Sequence, residues 1–147
     1  MIKISKMADY AVVLLSALAR APDQVMSVSA IAEITHLPEP TVSKILKSLV
    51  KENLISSVRG IKGGYCLGSS PENITVQKII VAIDGPIEVV ACVDGQADDC
   101  SLTEICGVRG RWDDVNRVIK EALGEVTLAD MMPRRRSERV EVVHGRH

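Results

Sequence analysis

Three cysteines, Cys92, Cys100 and Cys106, fall within fifteen residues, spaced Cys-x7-Cys-x5-Cys among glycines and acids. Thiolates are soft donors that favour zinc and iron–sulfur centres, and three on one irregular segment can converge on a single metal site. The spacing lacks the Cys-x2-Cys pairs of a zinc ribbon. The bland alternative is three small, partly buried thiols that hold nothing. Cys66 stands apart between Tyr65 and Leu67 and reads as a core residue. A second set of residues is cationic. Lys44, Lys47, Lys51, Arg59 and Lys62 are interrupted by one acid, Glu52. A local excess of this size matters to a phosphate backbone.

These groups need elements to position them. Residues 5–20, rich in alanine and leucine, read as a first helix ended by Pro22. Ser27 can cap a second, short helix carrying Val28, Ile31, Ala32 and Thr35 on one face. His36-Leu37-Pro38 breaks the chain, because the residue before a proline disfavours helix. Glu39 can then cap a third helix with Pro40 at its first position. There Val42, Ile45, Leu46 and Leu49 fall at i, i+3, i+4 and i+7, an inward stripe. The opposite face carries Thr41, Ser43, Lys44, Lys47, Ser48 and Lys51. Strands over 54–58 and 65–67 flank Arg59-Gly60-Ile61-Lys62-Gly63-Gly64, which makes a hairpin with a basic tip. Thr75 can cap a fourth helix with the stripe Val76, Ile79, Ile80, Ile83, stopped by Asp84-Gly85-Pro86. Residues 87–110 have no clear period. Trp112, Val115, Val118, Ile119, Ala122 and Leu123 make a wide apolar stripe on a further helix, ended by Gly124, with one short turn from Thr127 through Met132. Residues 133–147 are polar and basic and read as a mobile tail.

Helix, turn, helix and basic hairpin in that order describe a winged helix-turn-helix: mainly α, with a small β-hairpin wing. Such a helix docks its apolar stripe on the core and enters a major groove with its polar face. Thr41, Ser43 and Lys44 are then expected at bases, and Lys47, Arg59 and Lys62 mostly at phosphates.

Composition narrows the remaining classes. Apolar residues are 46% and charged residues 25% of the 147, ordinary for one folded domain. Aromatics are 2% with no Phe, too few for stacking platforms on single-stranded nucleic acid. The net charge of −1 is unevenly spread: residues 1–91 carry +1, 92–132 carry −5 and 133–147 carry +3. No apolar run approaches a membrane span. Lys3 and Lys6 ahead of Ala11–Leu15 and Ala17-Leu18-Ala19 resemble a secretory leader, but Asp9 and Ser16 interrupt the run. We therefore expect a cytoplasmic protein with reduced cysteines. No phosphate loop, Ser/His/Asp set or His-Glu-x-x-His motif is present, and His36 sits in a turn, so an enzyme is not expected.

The chain resembles the Rrf-type family of dimeric winged-helix transcription regulators that sense iron–sulfur clusters, the IscR-like and NsrR-like proteins. It is closest to regulators of SUF iron–sulfur assembly operons. The resemblance covers about 1–132 and rests on Met-Ile-Lys-Ile-Ser-Lys with Asp9-Tyr10-Ala11-Val12, on Leu54 through Gly60 and Gly63 through Gly68, and on the three cysteines. It implies a DNA-binding domain over 1–84, a cluster-binding loop over 85–110, and a dimerisation helix with its short turn over 111–132. It implies Cys92, Cys100 and Cys106 as ligands of a 4Fe-4S or 2Fe-2S cluster, Arg59 at DNA, and a homodimer on a double-stranded operator. The expected function is a repressor of iron–sulfur assembly genes. A nitric oxide or redox-stress sensor of the same fold, and a zinc or metal-free regulator with structural cysteines, are the alternatives.

The chain departs from this pattern in two places. IscR-like proteins carry a His ligand three residues beyond the last cysteine, and here that position is Arg109, always charged and a poor ligand. In NsrR-like proteins a carboxylate on the partner's first helix completes the site, and Asp9 occupies that position. A solvated acid beside Lys6 is the plain alternative for Asp9. The recognition-helix Glu with which some relatives read one class of site is Ser43 here.

Overall fold

The computed structural model describes residues 3–90, 93, 105–108 and 110–133. Cys92, Cys100, Arg109 and the tail from residue 134 lie outside the described residues.

The elements run α1 (Lys6–Ala19), α2 (Val28–Thr35), α3 (Glu39–Lys51), β1 (Ile55–Val58), β2 (Gly64–Leu67), a 3-10 turn (Pro71–Asn73), α4 (Val76–Asp84), α5 (Arg111–Glu125) and α6 (Leu128–Met131). Side-chain caps set several helix starts. The hydroxyls of Ser5, Ser27 and Thr75 accept from the amides of Ala8, Ala30 and Lys78, satisfying donors that a helix N-terminus otherwise leaves open. His36 closes α2 in the left-handed region with φ 57°, and the tight turn into α3 follows.

The core lies where α1, α2 and α3 meet. Leu14, Leu15, Leu18, Ile31, Val42, Ile45, Leu46 and Leu49 are fully buried there, joined by Ile74, Ile79 and Leu128. Among the described residues no methionine is fully buried, and Met7, Met26 and Met132 pack at the edge of the core. β1 and β2 pair antiparallel in the register Ile55↔Leu67, Ser56↔Cys66, Ser57↔Tyr65, Val58↔Gly64. The hairpin root is tied to the body by reciprocal backbone bonds between Met26 and Tyr65, at 2.9 and 2.8 Å. Gly64 permits that approach, since a Cβ there would lie 2.3 Å from the Met26 carbonyl oxygen.

Three expectations need correction. The residue capping α3 is Pro38, not Glu39. It offers no side-chain acceptor, and Glu39 is already helical. Cys66 is half-buried rather than a core residue, because β2 belongs to a two-stranded hairpin and all four of its residues are only half-buried. Gly124 does not end α5, which runs through it to Glu125. Gln77 of α4 packs against Gly124, where an added Cβ would come within 2.9 Å of its Oε1, so this glycine serves close helix packing.

After α5 the chain returns to the core. Leu128 N–H donates to the Ile74 carbonyl at 2.7 Å, and Val76 N–H to the Val126 carbonyl at 2.9 Å. Thr127 and Asp130 form a reciprocal capping box on α6. This short helix thus joins the body carrying α1–α4.

Candidate functional site

The face of α3 opposite its buried stripe is built by periodicity alone. With Val42, Ile45, Leu46 and Leu49 fixed inward, residues 44, 47 and 51 must line the outer face. Lys44, Lys47 and Lys51 are exposed there, while Thr41 and Ser43 in the first turns are half-buried. Glu39 is the acid of the first turn.

The chain leaves α3 in a tight turn, with Asn53 N–H donating to the Val50 carbonyl at 3.0 Å and Leu54 N–H to the Leu49 carbonyl at 3.0 Å. Asn53 takes φ 58°. This short link carries the hairpin directly off the end of α3, and β1 packs on α3. Arg59 and Lys62 are exposed on the connection between the strands. On α5, Arg117 is ion-paired with Asp114 and Glu121. Lys44, Lys47, Arg59 and Lys62 are paired with no acid among the described residues. The hydrogen bond to Glu121, then that to Asp114, raises the Arg117 pKa.

Of the proposed ligands, Cys106 is described, half-buried and a free thiol. Cys92 and Cys100 lie outside the described residues. Asp9 is exposed in the first turn of α1. It borders a cleft of about 330 Å³, shared with Lys3, Lys6, Val12 and Ile80. The Ser5 hydroxyl donates to Asp84 Oδ1 at 2.8 Å, which ties this end of α1 to the end of α4. Among the described residues no three His, Cys, Asp or Glu side chains gather as a metal site.

The apolar stripe on α5 divides in two. Ile119 and Leu123 turn inward and are half-buried, Leu123 against Val76 and Ile80. Trp112, Val115 and Val118 remain 41, 44 and 55% exposed. Asn116 lies on the inward face at 1% exposure, and its Oδ1 accepts from the Val89 amide at 3.3 Å. The sequence reading missed this residue. Its signal was a lone amide three and seven residues before Ile119 and Leu123, on an otherwise apolar helical face. Asn116 fastens the strand of chain that leads into Cys92 onto α5.

The sequence pattern of the Rrf2 family, described as an iron-dependent transcriptional regulator, matches residues 4–134. The chain belongs to the Rrf2 family. An HTH-type transcriptional regulator of Synechocystis sp. is 32% identical over 130 residues, 88% of this chain and 86% of that protein. Solved structures share the fold. CymR, the global cysteine regulator of B. subtilis, superposes with a TM-score of 0.65 at 31% identity, covering 89% of this chain and 96% of CymR. T. potens IscR gives a TM-score of 0.62 at 33% identity, covering 88% and 85%. This Rrf2 protein is thus a winged-helix, DNA-binding transcriptional regulator and not an enzyme. Among its described residues no helix is long and apolar enough to cross a membrane.

Proposed function

We propose that this Rrf2 protein is a cytoplasmic homodimeric repressor that reads its operator with α3 and the wing, and that it responds to an iron–sulfur cluster. Control of iron–sulfur assembly genes is the physiological role we assign. The observation that carries the DNA-reading part is the set of four exposed cations, Lys44, Lys47, Arg59 and Lys62, unneutralised on two consecutive elements. Thr41 and Ser43 lie in the first turns of α3, the part of a recognition helix that meets base edges. Lys47, Arg59 and Lys62 serve the backbone.

The donor set suits a cluster. Cys92, Cys100 and Cys106 supply three thiolates, Cys106 is a free thiol, and Asp9 of the partner supplies a carboxylate as fourth ligand in place of the absent His. When bound, a 4Fe-4S or 2Fe-2S cluster supplies a redox-active, removable link among these side chains. The residues of the chain transmit the consequence. Asp9 sits at the start of α1, and α1 packs on both α2 and α3. A restraint on Asp9 therefore acts on the helix that carries the reading unit. The effect on DNA can be no larger than the difference in operator affinity between the two states. A coupling of about 1–3 kcal/mol corresponds to about 5–150-fold.

The outward stripe of α5 supports the dimer. Trp112, Val115 and Val118 form an exposed apolar face on the helix that follows the cysteines in sequence, the kind of surface a two-fold partner covers. The competing reading, a metal-free or zinc regulator with structural cysteines, has its support in the likeness to CymR.

Anaerobic purification separates these readings. A brown protein with iron and sulfide, bleached by C100A, supports the cluster. A colourless protein with stoichiometric zinc or no metal, or iron that survives in C100A, overturns it.

A further inference from the structure

Ile61 is the most exposed large apolar residue described, at 107% of its reference area. It occupies the tip of the wing between Gly60 and Lys62, two residues after Arg59. The tip is closed on itself. Gly63 N–H donates to the Gly60 carbonyl at 3.0 Å, and a Cβ on Gly63 would lie 2.3 Å from the Val58 carbonyl oxygen. At the other end the Met26–Tyr65 backbone pair anchors the hairpin to the core. Ile61 is therefore held out by a braced turn rather than left free to fold back on the apolar surface. Water-exposed isoleucine gains free energy when something covers it, and its branched Cβ leaves little rotamer freedom to lose.

We infer that Ile61 is an apolar wedge that the wing inserts into the minor groove of operator DNA, partly unstacking one base step. The occupant is DNA because the isoleucine is flanked by Arg59 and Lys62, exposed cations with no acid paired to them, in continuity with the basic edge of α3. With α3 in a major groove, the hairpin that leaves its end lies over the neighbouring minor groove. Aliphatic side chains entering that groove unstack base steps and bend the duplex toward the major groove. Pyrimidine–purine steps deform most easily, so the wedge gives the protein a sequence preference at a position where it makes no hydrogen bond to a base. This rests on the placement of the wing at DNA proposed above and adds a deformation-dependent specificity to it.

The test uses duplexes selected from a random library by the full chain. Affinity is read by fluorescence anisotropy across a salt series, and bending by energy transfer between the labelled duplex ends. I61A is expected to bind about tenfold more weakly, with an unchanged salt slope and a smaller bend, while I61L keeps both. Repeating the selection with I61A should lose a pyrimidine–purine step at the wing position. Equal affinity and bend for I61A and wild type overturn the wedge. If R59A nevertheless weakens binding, the wing still lies on DNA and only the wedge falls. If R59A is also neutral, the placement of the wing falls with it. Loss of the Ile61 effect on replacing thymine by uracil at that position would move the contact to a major-groove methyl group and also overturn the wedge.

Discussion

Replacing Lys47 and Lys62 by alanine tests the DNA interface through its salt dependence. Both side chains are exposed and paired with no acid among the described residues, so the folded protein should not lose stability and each lysine has its full charge to give a phosphate. Each phosphate contact contributes about 0.9 to the slope of log affinity against log salt. In a dimer the double variant removes four such contacts, which flattens the slope by about 3.6. Between about 50 and 200 mM salt the wild-type affinity should therefore fall by about a hundredfold more than that of the variant. Anisotropy titrations of one selected duplex at several salt concentrations measure both slopes. S43A, which removes no charge, should lower affinity at a constant slope. Parallel slopes for wild type and the double variant would refute the phosphate roles of Lys47 and Lys62, whatever happened to the absolute affinity.

Other perturbations address the elements that hold the interface. L46A empties a fully buried site in the α1–α3 core and should cost about 2–5 kcal/mol in urea unfolding. G64A places a Cβ against the Met26 carbonyl. It should break the hairpin root and weaken DNA binding while changing thermal stability less than L46A, as read by calorimetry beside anisotropy. N116A leaves the Val89 amide without its acceptor and should cost about 1–3 kcal/mol. Hydrogen exchange should show its loosening confined to the segment after α4. V118K puts a charge into the exposed α5 stripe and should shift sedimentation from dimer to monomer, whereas V13K on α1 should not.

Local pattern carried much of this fold. The stripe Val42, Ile45, Leu46, Leu49 needed only helical spacing to identify its buried face, and Ser27 and Thr75 declared two helix starts by side-chain chemistry. Where local rules met long-range packing they failed. Gly124 has the residue type of a helix stop, but its lack of a side chain is used against Gln77, 47 residues earlier. The α5 stripe was legible as apolar, yet its division into inward Ile119 and Leu123 and outward Trp112, Val115 and Val118 depends on where α4 lies. Asn116 was hidden for the same reason, since its partner, Val89, belongs to a segment without periodicity. The return of α6 through Ile74 and Val76 is likewise a non-local pairing. The cations of the candidate interface were legible because exposure follows from the opposite, buried face. Of the thiol set only Cys106 is described, so the sequence remains the basis for assigning Cys92 and Cys100.

In the proposed mechanism, occupancy of the cysteine site changes how the dimer holds its operator. The direct measurement is the affinity of one selected duplex for anaerobically prepared, cluster-containing protein and for the same preparation after chelation, at fixed salt. The expected difference is about 5–150-fold, and C100A should abolish it. Equal affinity and equal site preference for the two preparations would contradict it.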